Sequence, residues 1–214
     1  MDDPLLHVIQ ESYDTVADEY TRHCFSELDN KPLDRELLTR FAARVKGKGE
    51  ICDMGCGPGH IARFLRDAGA AVFGLDLSAA MLAQARRLNP EILFRQGNML
   101  ALDLPDASLA GISAFYAVVN LPNELLPQVF REMARVLKPD GLLLLSFHVG
   151  NETLHRDEWW DRPINMDFHF LEPPGIQRDL EAAGLAVEEV VEREPYAPEV
   201  EHQSRRAYIF ARKS

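Results

Sequence analysis

Residues 50–60, Glu-Ile-Cys-Asp-Met-Gly-Cys-Gly-Pro-Gly-His, place glycine at three alternate positions between a short apolar run and a stretch with helical patterning. Glycine has no Cβ, so Gly55, Gly57 and Gly59 let main-chain N–H groups and the start of the next helix close on a bound polar group. A second apolar run, Val72-Phe73-Gly74-Leu75, ends in Asp76. Strand, glycine turn, helix, strand and terminal acid form the repeating unit of a doubly wound α/β sheet. An acid about twenty residues past such a turn accepts hydrogen bonds from the two hydroxyls of a ribose. The segment therefore predicts a nucleoside seat at the carboxyl ends of the first two strands.

The spacing of the turn bears on which nucleoside. A dinucleotide site uses G-x-G-x-x-G with pyrophosphate over the helix N-terminus, whereas this chain has G-x-G-x-G followed by His60. With Asp53 just before it, the turn resembles motif I of the class I S-adenosylmethionine (SAM)-dependent methyltransferases, where it wraps the methionine part of SAM. An anion at Asp53 suits an ammonium and a sulfonium and repels pyrophosphate. Leu137-Lys138-Pro139-Asp140-Gly141 leading into Leu142–Leu145 is a second, independent match to the same family. The resemblance runs from about Tyr13 to Phe147 and is to the small-molecule branch, similar to the ubiquinone and menaquinone biosynthesis methyltransferases and to methyltransferase types 11 and 25. It implies a Rossmann-like, seven-stranded doubly wound sheet, mostly parallel, with a C-terminal antiparallel β-hairpin and helices on both faces.

The 214 residues suit one domain, 1–214, with a substantial core. A formal net charge of −11 argues against a nucleic-acid partner, which needs a basic face. No signal peptide is visible and the longest apolar run, Gly141–Leu145, is too short to span a bilayer, so the expectation is a cytoplasmic protein, monomeric or homodimeric, with no membrane partner. Cys24, Cys52 and Cys56 form neither a disulfide framework nor a C-x-x-C metal pair. The histidines and aspartates between 148 and 202 lack a diagnostic ligand spacing, and no metal is expected.

Asp2 to about Val45 reads as two helices broken near Asn30-Lys31-Pro32, an N-terminal helical lid over 1–45. Tyr13 and Tyr20 lie two turns apart on one helix face; core packing explains them, and they also look like the lid tyrosines that face SAM or substrate in small-molecule methyltransferases. A helix from His60 to Ala68 ends at Gly69, and Ser78 caps a helix from Ala79 to Leu88 with Met81 on its inner face. Strand three is Ile92–Gln96 and strand four Leu109–Ala114. A helix from Asn123 to Leu137 precedes the strand Leu142–Phe147, a further helix spans Pro174 to Ala183, and Leu185–Glu194 with Tyr208–Lys213 form the terminal hairpin.

The resemblance implies cofactor contacts from Tyr13, Tyr20, Asp53, Gly55, Cys56, Gly57 and Gly59 at one end. Asp76 would hold the ribose, Leu77 would pack on adenine beside Met81, and Asn98, with Met99, would meet the adenine amino edge; Phe115 completes the set. Tyr116 and Asn120 follow strand four, where relatives carry an aromatic and a histidine pair; no histidine stands there in this chain. The polar, aromatic stretch 150–174, with Trp159, Trp160, Arg162 and His169, reads as a substrate cover. Tyr196, Arg205 and Arg206 in the last loop lean over the same site or form a solvated loop, and arginines there suit a carboxylate on the acceptor.

The implied reaction is transfer of the SAM methyl to a small-molecule acceptor, leaving S-adenosylhomocysteine (SAH). The sulfonium activates the methyl without protein help, so positioning and desolvation carry much of the rate. If a base is used, His148 is the first candidate because imidazole titrates near neutrality, followed by Tyr116 and Tyr20. The alternatives are a SAM-binding module or partner subunit without turnover, and an NAD-dependent dehydrogenase.

Overall fold

The computed structural model describes residues 4–214; residues 1–3 of the expected lid, Asp2 among them, lie outside these. Seven strands form one sheet: β1 (Glu50–Met54), β2 (Ala71–Asp76), β3 (Leu93–Gln96), β4 (Leu109–Phe115), β5 (Leu137–His148), β8 (Leu185–Arg193) and β9 (Arg206–Lys213), in the order β3-β2-β1-β4-β5-β9-β8. The first five pair in parallel; β9 runs antiparallel between β5 and β8. This is the expected Rossmann-like sheet with its C-terminal antiparallel hairpin. The chain reverses its winding between β3 and β4, so the carboxyl ends of β1 and β4 flank the switch point at which such sheets bind ligands.

Both faces are covered, which is why β4 and the second half of β5 read as continuous apolar runs. Along β1 and β5 the period of two divides the side chains. Cys52, Met54, Leu143 and Leu145 pack with Val129, Phe130 and Met133 of α5 (Leu126–Val136) and with Leu180 of α6 (Pro173–Ala182). Ile51, Leu142 and Leu144 pack with Leu38 and Phe41 of α2 (Pro32–Val45) and with Ile61 and Leu65 of α3 (His60–Asp67). In α4 (Ala79–Leu88) the Ser78 hydroxyl accepts the Met81 N–H at 3.0 Å, the cap read from the sequence. Among the described residues no helix is long and apolar enough to cross a membrane.

The lid helix α1 (Pro4–Cys24) turns away from the sheet and lies across its carboxyl edge, against α4. The stretch 150–174 is not an irregular cover but a two-stranded antiparallel ribbon, β6 (Thr153–Trp159) and β7 (Arg162–His169), that packs on α1. Its two-residue turn, Trp160-Asp161, has φ of +51° and +57°, the left-handed pair that a tight hairpin requires and that glycine or asparagine normally supplies. Trp160 is held there by stacking on Trp159 at 4.4 Å and on His23 at 4.8 Å. A second departure is at the Pro-Asp-Gly segment: β5 already begins at Leu137, and the segment is an irregularity within the strand, with Asp140 at φ +62°.

Candidate active site

Between α1, the β6–β7 ribbon and the carboxyl ends of β1, β2 and β4 lies a cavity of about 460 Å³. Its floor is the glycine turn. The N–H groups of Gly55 and Cys56 both donate to the Leu75 carbonyl, at 2.7 and 3.1 Å, and fold the turn back on β2. The Gly57 N–H donates to Asp76 Oδ2 at 2.8 Å and the Ser78 N–H to Oδ1 at 2.9 Å, so the backbone fixes both oxygens of an acid on the cavity wall. Withdrawal from water raises the Asp76 carboxyl above its usual range, and these N–H groups pull the other way.

The three glycines have different duties, all at positive φ. A Cβ on Gly55 would sit 2.6 Å from the Ala117 Cβ, and one on Gly59 would sit 2.8 Å from the Phe94 ring and 2.9 Å from the Asn89 amide. Gly57 meets nothing nearer than the Tyr20 ring at 3.8 Å, and its bare face opens to the cavity. Gly55 and Gly57 therefore line the cavity, while Gly59 serves the packing behind it.

Tyr13, Tyr20, Leu77, Met81, Asn98, Met99 and Phe115 also line the cavity. Asn98 Oδ1 accepts the Leu100 N–H at 2.8 Å, which leaves the amide nitrogen as its available donor. Besides Gly59, two expected cofactor contacts lie elsewhere. Cys56 packs in an apolar cluster with Ala62, Leu82 and Phe94. Asp53 shares the face of β1 that points at α3 and is 1% exposed beneath the turn. Its Oδ1 accepts the Ser113 hydroxyl at 3.1 Å, and Oδ2 has no hydrogen-bond partner among the described residues. Burial pushes the Asp53 carboxyl up to about 7, against the pull of His60, Ser113 and the Ala62 N–H.

The roof is tied down by a relay. Tyr13 donates to Asn120 Oδ1 at 2.8 Å, and Asn120 Nδ2 donates to the Asp167 carbonyl at 2.7 Å, joining α1, the segment after β4 and the ribbon. Tyr20 meets Trp159 and Trp160 edge-on at 5.7 and 6.0 Å. Asn120 and Trp159 both line the cavity, with Asn120 committed to holding the roof.

The far end of the cavity is polar. Tyr116, at φ +52°, His148, His202, Lys31, Glu27 and Arg206 line it. Lys31 Nζ donates to Glu27 Oε2 at 2.7 Å and lies 3.6 Å from Glu201; Glu27 Oε1 meets His60 Nε2 at 2.9 Å. Burial opposes ionisation of Glu27, but the His60 hydrogen bond and the Lys31 charge prevail and hold its carboxyl down at about 2. Behind them Arg193 bridges Glu201 and Asp34, and Asp34 accepts the Tyr208 hydroxyl at 3.0 Å.

His148 faces the cavity with Nδ1 2.8 Å from the Ser204 hydroxyl. Burial, then the charges of Arg206, His202 and Lys31, push it down to about 3, well below the near-neutral titration expected of it. Burial pushes the Tyr116 hydroxyl up to about 12, with Asp34 adding to it, and burial raises the Tyr20 hydroxyl as well.

Four expected substrate contacts stay off the cavity wall. Arg162 is exposed and 3.6 Å from Glu19; Arg205 is exposed and pairs with Glu192 and Glu194. His169 turns outward to the Thr153 hydroxyl at 2.9 Å. The Tyr196 hydroxyl accepts the Leu33 N–H, and its ring is covered by Arg193 at 4.0 Å. The sequence reading missed Glu27 and Lys31, although their i, i+4 spacing is a signal for an ion pair, and Asp14, which binds the start of α4.

Residues 51–141 match the family model described as a methyltransferase domain. A Mycolicibacterium smegmatis protein named as a probable S-adenosylmethionine-dependent methyltransferase is 32% identical over 163 residues, 72% of this chain and 58% of that protein. The malonyl-[acyl-carrier protein] O-methyltransferase of Enterobacter lignolyticus is 34% identical over 135 residues, 63% of this chain and 51% of that protein. The chain thus spans between half and three fifths of the length of these two relatives. Among solved structures, a DhpI–SAH complex superposes with a TM-score of 0.76 at 21% identity, covering 100% of this chain and 99% of that one, a likeness of fold. Motif, sequence match and sheet topology agree: residues 51–141 are a methyltransferase domain, and the fold around it is that of the class I S-adenosylmethionine-dependent methyltransferases.

Proposed function

We propose that this chain holds SAM in the cavity and transfers its methyl group to a small-molecule acceptor, releasing SAH. The observation that carries the reading is Asp76: an acid on the cavity wall whose two oxygens are set by the N–H groups of Gly57 and Ser78, beside a glycine with an open face. Asp76 would hold the ribose hydroxyls, Leu77 and Met81 the adenine faces, Asn98 its polar edge, and the turn at Gly55–Gly57 the methionine tail. The space a Cβ would fill at Gly59 is taken by Phe94 and Asn89, which disfavours a pyrophosphate over the α3 N-terminus and with it a dinucleotide.

Bound SAM supplies a methyl group already activated by its sulfonium. The chain's part is to position and to exclude water. The Tyr13–Asn120–Asp167 relay closes the roof, and Tyr20, Trp159 and Trp160 make it apolar, so the acceptor meets the methyl in a dry, fixed geometry. Because fold alone does not set the reaction, the test is chemical. Incubation with methyl-labelled SAM and a panel of small acceptors should give SAH and a labelled product by mass spectrometry. SAM binding without SAH formation for any acceptor would favour a binding module instead.

A further inference from the structure

We propose that the acceptor is a carboxylic acid with an apolar body, that its carboxylate docks at the cavity end formed by Lys31, Arg206 and Arg156, and that a carboxylate oxygen is the nucleophile, giving a methyl ester. This rests on the methyl-transfer reading above and specifies its substrate class.

The three cations come from distant segments and differ in how far they are neutralised. Arg206, 2% exposed, directs its terminal nitrogens to the Ser204 carbonyl and hydroxyl and to the His202 carbonyl, and its Nε, also buried, has no acceptor among the described residues. Its nearest carboxylate, Glu201 at 3.5 Å, already binds Arg193 through both oxygens. Arg156 stands exposed at the rim and forms no ion pair with a carboxylate among the described residues. Lys31 and Arg206 lie 5.9 and 5.6 Å from the centre of the Tyr116 ring, and so bracket the residue that follows β4.

Of the acids on the cavity wall, Glu27 is held by Lys31 and His60, Asp76 is fixed by backbone N–H groups at the nucleoside end, Glu201 is shared among three cations, and Glu199 stands exposed at the rim. Beside His148 the charges of Arg206 and Lys31 outweigh that of Glu201, which favours an anion there; burial first, and then those charges, drive protons off the imidazole. Leu154, Trp159, Trp160, Phe168 and Phe170 give the same cavity an apolar wall for the acceptor's body, with the Phe170 ring 5.3 Å from that of His148.

The proton balance points the same way. A phenol, alcohol or thiol must lose a proton to give a neutral methylated product, an ammonium must lose one before its nitrogen can attack, and this end of the cavity has no acceptor tuned for either. Burial and Arg206 lower His148 and His202, Glu27 and Glu201 are each held at about 2 by their partners, and Tyr116 is raised. A carboxylate arrives ionised. Its oxygen forms the bond to the methyl carbon as the carbon–sulfur bond breaks, the electron pair stays on sulfur, one negative and one positive charge cancel, and no proton moves.

The test uses the full chain saturated with SAH. Calorimetric titration with 4-phenylbutyrate and decanoate should show binding, and their amides, their primary alcohols and phenethylamine should bind at least about tenfold more weakly, as for loss of a charge-assisted hydrogen bond. Arg206→Met and, should that variant fail to fold, Arg156→Gln at the exposed rim should each weaken the acids about tenfold and leave SAH binding unchanged. With methyl-labelled SAM the product should be a hydroxide-labile methyl ester, formed at a rate that is flat from about pH 6 to pH 9, above the carboxylate range. Label on nitrogen, sulfur or a phenol oxygen, or failure of both acids to bind while SAH binds, overturns the proposal and leaves methyl transfer standing. Failure of SAH itself to bind takes both down.

Discussion

Asp14 Oδ1, on the lid helix, accepts the Ser78 hydroxyl at 2.5 Å, and it also accepts the Ala80 N–H at 2.9 Å. Ser78 lies two residues past Asp76, so the lid is fastened to the start of α4 at the point where the ribose acid is set. Asp14→Ala should release the lid, lower stability by about 1 kcal/mol, the usual scale of a lost cap, and weaken SAH binding several-fold. Hydrogen exchange should accelerate across α1; unaltered exchange there would mean that the Tyr13–Asn120 hydrogen bond and the aromatic contacts hold the lid without Asp14.

The glycine turn separates fold from binding. Gly55→Ala drives a Cβ into Ala117 at a left-handed residue and should destabilise the protein by more than about 1 kcal/mol. Gly57→Ala, also at positive φ but with open space beside it, should cost less stability and more SAH affinity. Thermal melts and calorimetry on the two variants should therefore rank in opposite orders. Identical rankings would remove Gly57 from the binding surface.

His148 is neutral throughout the working range because burial and the charges of Arg206, His202 and Lys31 hold it at about 3. Loss of a general base costs about 10²–10⁴-fold; His148→Gln should reduce kcat less than about tenfold on that scale and leave the pH profile unshifted. The unfolded chain takes up this proton near 6.5 and the folded one does not, so His148 also contributes a loss of stability as pH falls from 6.5 toward 3. A His148→Gln protein that has lost an inflection near neutrality would restore the histidine as base.

Asp53 has the opposite sign. Its folded carboxyl sits at about 7 against 3.8 in the unfolded chain, so between those values the folded state binds more protons and stability falls as pH rises. The penalty is absent below pH 3.8 and complete above pH 7. Asp53→Asn should accordingly be more stable than the parent at pH 8, with the difference closing toward pH 4, in urea denaturation of the ligand-free protein. A pH-independent difference would show that Asp53 is ionised in the fold.

The sheet and its helices were legible because strands buried on both faces and helices with one apolar face write their periods into the chain. The ribbon at 153–169 was not, because its turn takes left-handed geometry from Trp160 and Asp161, whose identity does not advertise it. The places of Asp76, Gly55 and Gly57 on the cavity wall were legible because the local backbone sets them. The polar end was legible only in part: His148, Tyr116 and Arg206 were named, but Lys31 and Glu27 join them only through tertiary packing. Arg205 and Arg206 show the limit plainly: neighbours at the start of β9 point to opposite sides, and only the second reaches the cavity. Asp53 was misplaced for a related reason, its strand face directing it under the turn toward α3.

The most direct measurement is calorimetric titration of SAH into the parent protein and into Asp76→Asn, each checked for folding by circular dichroism. The account predicts one site per chain in the parent and a loss of at least about tenfold in affinity in the variant, the scale of a charge-assisted hydrogen bond to the ribose. Equal affinity in both proteins, or no heat from a folded parent, would contradict it.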